Sequence, residues 1–325
     1  AHMALAKEDT PVFNMVLRPV LFLMSLILPM GWLRIPGVYK EAEFRAPSLA
    51  SSADAKLPLI VFSHGLTGTG QENFAMCSAW AKQGYIVACL HHADGSSCNV
   101  PMADGTRKYY VHGPSMQNYD PSFRTNQVEQ RAKEVLGVCD RMLVNDADDA
   151  ASLFHTIREA VDHDRLVVAG FSYGSATSMR AITMDPSRFC AAVLLDGWFH
   201  IDVSKSAGIE FAFPPEAFED DVSTAKPKHL PNSMPSILID SQQFQGYEKL
   251  FQSTRTLTKR LTGNEDALHV LPDTGHQNFC DIIFWVDSFT LSRLLRGVIG
   301  KADEGAVFEK MMDLTLTFLK KAVKK

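Results

Sequence analysis

The residues able to do chemistry in this chain are a serine, a histidine and two aspartates, each beside a break in an apolar run. Ser172 is the centre of Gly170-Phe171-Ser172-Tyr173-Gly174, which follows the apolar stretch Leu166 to Ala169 and leads into Ser175, Ala176 and Thr177. A Gly-x-Ser-x-Gly turn between a strand and a helix holds its serine exposed and strained. Glycines flank it because side chains there would strike neighbouring backbone. A serine hydroxyl is hardly ionised near neutral pH, so Ser172 needs a base within hydrogen-bond reach, and the base needs an orienting acid. His276 lies in a Gly-His loop just past the last strand-like run, Ala267 to Leu271. His91 and His92 come too early, His269 falls inside a strand, and His200 is the best of the rest. Asp196 closes the run Ala191 to Leu195 and Asp240 closes Pro235 to Ile239. Both keep the order serine, acid, histidine, and the spacing leaves both open. The chemistry such a set performs is acyl transfer through a serine.

Acyl transfer also needs donors for a developing oxyanion. The strand-like run Leu57 to Phe62 leads into Ser63-His64-Gly65-Leu66-Thr67-Gly68. The loop after such a strand supplies one backbone N–H and the residue after the nucleophile supplies the other, here Leu66 and Tyr173. Losing one donor typically costs about 3 kcal/mol of transition-state stabilisation. His64 is expected to brace this loop rather than react. His91, His92 and Asp94 are metal-type ligand residues, but no further ligands at metal spacing accompany them, so they are read as a structured loop. No metal and no cofactor is called for.

These residues must be positioned by elements in alternation. Helical periodicity is expected over Gln71–Gln83, Arg124–Asn145, Ala150–Val161 (behind the capping-type Asp148 and Asp149), about Tyr247–Leu261, Cys280–Val298 and Asp303–Val323. Strands are expected between them, with Tyr85 to Leu90 another. Strands alternating with helices predict an α/β fold. Its central sheet is mostly parallel, helices cover both faces, and the functional residues lie beyond the strand ends. The Gly-, Pro- and Asn-rich stretch Asn99–Pro121 reads as a surface excursion. Residues 202–232 read as an insertion at the rim of the site, or a lid. Ala1-His2-Met3 has the look of a cloning scar. Residues 4–56 form an apolar segment and lead-in, and residues 57–325 are expected to be one domain.

The bulk numbers narrow the function. The 325 residues are 46% apolar and carry a formal net charge of -5, with no basic excess to favour nucleic acid. Six cysteines are scattered without a Cys-x-x-Cys pair, and Cys89 and Cys190 read as buried free thiols. Val12 to Trp32 is strongly apolar, but Arg18, Pro19 and Pro29 interrupt it, and no small-x-small cleavage site follows. Three readings stay open for it: a helix buried against the domain, a surface resting in a lipid interface, or an anchor. Compartment and oligomeric state stay open as well.

Several segments together resemble a known family. Phe62-Ser63-His64-Gly65-Leu66, the Ser172 pentapeptide with Ala176 and Thr177, and Leu195-Asp196-Gly197-Trp198 carry the likeness, with Arg124 to Glu134 and Gly275 to Phe279 adding to it. They resemble the plasma-type platelet-activating factor acetylhydrolases, also called lipoprotein-associated phospholipases. The resemblance implies the α/β-hydrolase fold and calcium-independent hydrolysis of the sn-2 ester of phospholipids with short or oxidised acyl chains. It places the triad acid on the aspartate before x-Trp, which here is Asp196, and leaves Asp240 as the alternative. Phe171 and Ser175 depart from the family's usual His and Gly. Trp198 and Phe199 become candidates to line the acyl pocket, with core packing as their other role. Phospholipid is then the expected partner, met at a lipid surface to which Val12–Trp32 could contribute. A general carboxylesterase, and a hydrolase fold reduced to a binding protein, are the rival readings.

Overall fold

The computed structural model describes residues 56–111, 122–143, 153–202, 210–212, 234–281 and 300–324. Six parallel strands form its sheet: β1 (Leu57–Ser63), β2 (Ile86–Cys89), β5 (Val161–Phe171), β6 (Ala191–Leu195), β9 (Ser236–Ser241) and β10 (Leu268–Leu271). Their order across the sheet is β10-β9-β6-β5-β1-β2. The chain therefore runs outward from β1 to β2, returns to the other side of β1, and proceeds through β5. A crevice opens beyond the carboxyl ends of the strands where the winding reverses, and that is where such sheets place their ligands.

Strand alternation explains why the sheet is covered on both faces. Leu59, Val61, Leu166, Val168, Ala192, Leu194 and Leu238 point to one side. There they pack on Ala132, Val135 and Cys139 of α2 (Ser122–Leu143), Met179 and Ile182 of α4 (Tyr173–Met184), and Leu257 and Leu261 of α6 (Glu248–Thr262). The intervening Ile60, Phe62, Val167, Ala169, Ala191, Val193, Leu195, Ile237 and Ile239 point to the other side. They pack on Met76, Cys77 and Trp80 of α1 (Phe74–Lys82) and on Val307, Met311 and Leu319 of α7 (Glu304–Ala322). With a period of two, one apolar run feeds two cores, which is why these strands read as unbroken apolar stretches. Trp80 is wholly buried and its indole N–H donates to Thr315 Oγ1 at 3.1 Å, tying α1 to α7.

The remaining elements are α3 (Leu153–Ala160), the short α5 (Gln242–Gln245), and two antiparallel pairs, β3 (Asn99–Pro101) with β4 (Arg107–Tyr109) and β7 (His200–Asp202) with β8 (Glu210–Ala212). The expected excursion after Asn99 thus contains a hairpin, which its Gly- and Asp-rich composition concealed. β5 starts at Val161, directly after α3, because Leu57 of β1 pairs with Val161 before a register shift and the main ladder from Leu59–Leu166. All six cysteines are free thiols, and Cys89 and Cys190 are half-buried rather than buried. Val12–Trp32, Asp148 and Asp149, the expected helix after Cys280, and most of the 202–232 insertion lie outside the described residues. Among the described residues no helix is long and apolar enough to cross a membrane.

Candidate active site

Four strand ends converge on one crevice. β5 ends at Phe171 and α4 begins at Tyr173, so Ser172 alone makes the turn, with φ 57° and ψ −120°. Its N–H donates to Leu195 O at 2.8 Å and its carbonyl accepts from Trp198 N–H at 3.2 Å, which locks the turn to the end of β6. The flanking glycines are obligatory. A Cβ on Gly170 would overlap Gly174 backbone, and one on Gly174 would overlap the Ser63 carbonyl of β1. Ser175 adds a hydroxyl that lies 2.7 Å from Gly170 O and accepts Leu195 N–H at 3.0 Å, so the residue that departs from the family pattern stitches the elbow to β6.

His276 begins a 3-10 turn (His276–Phe279) after β10. Its Nε2 is 2.9 Å from Ser172 Oγ and its Nδ1 is 2.6 Å from Asp196 Oδ2. Its backbone N–H donates to Gln243 Oε1 at 2.8 Å. The imidazole stacks with Phe171 and Phe244, both at 4.8 Å between centroids, and with Trp198 at 6.1 Å. Ring plane and height are therefore both fixed. Asp196 is fully buried, yet its carboxylate is well solvated by protein. Oδ1 accepts Ser241 N–H at 2.6 Å, and Oδ2 accepts Ser241 Oγ–H at 2.9 Å beside the histidine. With Nδ1–H committed to the acid, Nε2 is left as an acceptor for the serine proton, the tautomer that general-base catalysis requires.

Asp240, the alternative acid, is placed otherwise. It is buried one strand over, and His276 bonds to Asp196 instead. Burial, reinforced by the Asp196 charge, pushes its carboxyl well above the usual range, while Thr254 and the Gly197 N–H partly oppose this. The tentative pocket pair also divides. Trp198 is half-buried over His276, while Phe199 is buried in the core with Leu59 and Leu194, its ring closing on Gly197. The turn at Asp196 and Gly197 sends the two rings to different surroundings. Of the two roles left open for Phe199, the structure shows core packing and not pocket lining.

The oxyanion side is built from the loop after β1. Tyr173 is fully buried, and its hydroxyl donates to Arg124 O at 2.7 Å. Among the described residues, neither Leu66 N–H nor Tyr173 N–H meets a protein acceptor. His64 donates Nδ1–H to Gly65 O at 2.7 Å, and its Nε2 lies 2.9 Å from Ser97 Oγ. Burial and the Arg131 charge hold it well below the usual histidine range, so it is neutral and braces the loop. His92 Nδ1–H meets Glu134 Oε2 at 2.7 Å, Asp94 accepts from Ser96, and His91 Nδ1 accepts Gly70 N–H at 3.4 Å. This cluster is a braced loop.

All four non-glycine residues with positive φ among the described residues lie at these strand ends: Thr67, Ser172, Asp196 and Asp273. Each such conformation costs about 1–3 kcal/mol and persists where the surroundings dictate it.

Comparison with known proteins decides the family. The model of platelet-activating factor acetylhydrolase, isoform II, matches residues 22–207, over half the chain. The chain belongs to this family. The acetylhydrolase of Bos taurus is 25% identical over 244 residues, covering 70% of this chain and 49% of the relative. That of Canis lupus familiaris is 25% identical over 284 residues, covering 82% and 57%. The chain thus spans about half the length of the curated relatives it matches. A ferulic acid esterase from Streptomyces cinnamoneus shares the fold, with a TM-score of 0.59 at 22% identity over 83% of this chain and 68% of that one. The α/β-hydrolase fold expected from the sequence is the one observed.

Sequence reading missed Ser241, Gln243 and Phe244, which hold His276 and Asp196, and the buried Arg131, whose charge acts on His64. Arg131 left a legible signal. It falls three residues after Val128 and four before Val135, a charge on the buried stripe of α2. The others carry no local pattern.

Proposed function

We propose that this acetylhydrolase family member is a serine ester hydrolase acting on the sn-2 ester of phospholipids with short or oxidised acyl chains. The observation that carries the reading is the bonded chain Ser172–His276–Asp196 at the winding reversal, with two N–H groups beside it that have no partner among the described residues. Ser172 Oγ attacks the ester carbonyl while its proton passes to His276 Nε2, and Asp196 steadies the imidazolium through Nδ1–H. The carbonyl oxygen becomes an oxyanion held by the N–H groups of Leu66 and Tyr173. The tetrahedral intermediate collapses, breaking the bond to the glycerol oxygen. That oxygen takes the proton from His276 and leaves as the lyso-lipid alcohol. Water, deprotonated by the same Nε2, then attacks the acyl-serine; the bond from the acyl carbon to Ser172 Oγ breaks, Oγ takes the proton back from His276, and the carboxylic acid is released.

Family membership supports the phospholipid, and the half-buried Trp198 beside His276 supports an acyl site of limited depth. Each methylene in a fitted pocket is worth roughly 1–3 kcal/mol, so acyl length is the property to measure. Phosphatidylcholines with sn-2 acetyl and sn-2 long acyl chains, hydrolysed with a calcium chelator present, provide the test. Acetyl release should be fast, should fall steeply with chain length, and should vanish in Ser172→Ala. Equal rates on long chains would indicate a general carboxylesterase, and no Ser172-dependent turnover of either would refute the reading. Contact of Val12–Trp32 with the lipid surface belongs to the same proposal. Loss of vesicle binding on its deletion, in a chain that still folds, is the expected result.

A further inference from the structure

Arg131 is a fully buried guanidinium, and among the described residues it makes no direct ion pair. Placing a charge there is costly unless the protein compensates it. Compensation comes from the oxyanion side of the site. Nη2–H donates to His64 O, Nη1–H donates to Ser96 Oγ at 3.1 Å, and the guanidinium lies 4.9 Å over the Tyr173 ring. Asp94, Glu134 and Glu72 contribute at longer range. Nε has no partner among the described residues.

The His64 carbonyl belongs to the same planar peptide as the Gly65 N–H. That N–H is also occupied: it donates to Glu72 Oε2 at 3.1 Å. One peptide is therefore held at its oxygen by a buried cation and at its hydrogen by a carboxyl group. The next peptide joins Gly65 to Leu66. Its oxygen accepts His64 Nδ1–H at 2.7 Å, and its remaining polar group is the Leu66 N–H. Two successive peptide planes are thus fixed, which leaves one donor to aim. The packing allows no slack, because a Cβ on Gly68 would overlap the Glu72 carboxyl and a Cβ on Gly65 would crowd Phe171 and Ser172.

We propose that Arg131 and Glu72 are positioning residues that clamp the His64–Gly65 peptide from its two ends and so aim the Leu66 N–H into the oxyanion site before substrate arrives. The proposal rests on the reading of Leu66 as an oxyanion donor. Arg131 has a second effect through Tyr173: held against that ring, it fixes the residue that supplies the other N–H. Misaiming one donor should cost about tenfold in kcat, less than the 10²–10³ lost when such a donor is removed. Substrate binding in the ground state should change little, since the donors grip the oxyanion and not the ester.

The test compares Glu72→Ala, Glu72→Gln, Arg131→Met and Arg131→Lys in the full chain, with a short-chain ester as substrate. A trifluoromethyl ketone serves as inhibitor, since its serine adduct puts an oxyanion in the same place. Glu72→Ala should lower kcat about tenfold with KM within about twofold, and should raise the ketone Ki by the same factor. Glu72→Gln should stay within about twofold of the parent, because the amide oxygen accepts the same N–H. Arg131→Met should lose about 10²-fold, with Lys recovering part of it. Folded Ala and Met variants with kcat and ketone Ki within twofold of the parent would overturn the clamp. Should Arg131→Met not fold, Glu72→Ala decides alone. Absence of Ser172-dependent turnover in the parent chain is a different failure, that of the hydrolase reading, and the clamp falls with it.

Discussion

The ends of β6 and β9 carry the same residue type in neighbouring strands, and the fold uses them in opposite ways. Asp196 leaves β6 with φ 44°, which turns its carboxylate toward His276 and under three donors: Ser241 N–H, Ser241 Oγ–H and His276 Nδ1–H. Asp240 stays in the β9 ladder, and its Oδ2 has no partner among the described residues. Both are removed from water. A buried carboxylate is stable only where protein dipoles replace its hydration: Asp196 has three donors, while burial, reinforced by the Asp196 charge, pushes the Asp240 carboxyl well above the usual range. The backbone turn at Asp196 decides which of the two carboxyls receives the donors.

The largest effect that could break this comparison is an exchange of roles. Asp196→Asn should lower kcat about 10⁴-fold, because an amide donates to Nδ1 and imposes the wrong tautomer on His276. Asp240→Asn should keep kcat within about threefold, since an amide replaces a neutral carboxyl of the same shape. Steady-state kinetics on a soluble short-chain ester measure both. A large loss in Asp240→Asn would mean that β9, not β6, supplies the working acid.

How legible this was depends on the range of the information. The elbow, the His276 loop and both strand-end aspartates could be read locally, since each joins a periodic apolar run to a residue type with its own chemistry. The choice between Asp196 and Asp240 could not. Spacing kept both open, because the deciding features are a positive φ and a hydroxyl 45 residues away at Ser241. The hairpin Asn99–Pro101 with Arg107–Tyr109 was lost for a related reason: its two short strands pair mainly with each other, and too few residues alternate to show a period. Phe199 stayed open between pocket and core because nothing in Trp198-Phe199 states which ring faces the sheet, and the structure places it in the core. Arg131 was within reach, as a charge on an apolar helical stripe.

A second effect sharpens the comparison through pH. Asp240 binds its proton more tightly folded than unfolded, so the folded state carries more protons above the unfolded pKa. Stability then falls as pH rises from about 4, until the folded group ionises as well. Replacing Asp240 by Asn removes this slope. The stability difference, Asn variant minus parent, should therefore grow with pH by up to about 1.4 kcal/mol per unit over that window. Denaturant midpoints between pH 4 and 7 provide the measurement. A flat difference would mean that Asp240 is ionised in the folded chain.

The smallest effect concerns the residue that distinguishes the two acids. Ser241 gives Asp196 two of its three donors, one from backbone and one from the side chain. Ser241→Ala keeps the N–H and removes only the hydroxyl. A hydrogen bond to a charged group is worth about 1.5–3 kcal/mol, but the His276 bond to the same oxygen can tighten in response. The net change in kcat should therefore be about tenfold. It should come with little change in KM, because the acid never touches the ester. Adding the change to Asp196→Asn should cost almost nothing further, since the carboxylate that the hydroxyl served is already gone. If Ser241→Ala instead cost the same factor in both backgrounds, the hydroxyl would be acting on the site by a route other than Asp196, and the difference between the two strand ends would rest on the backbone turn alone.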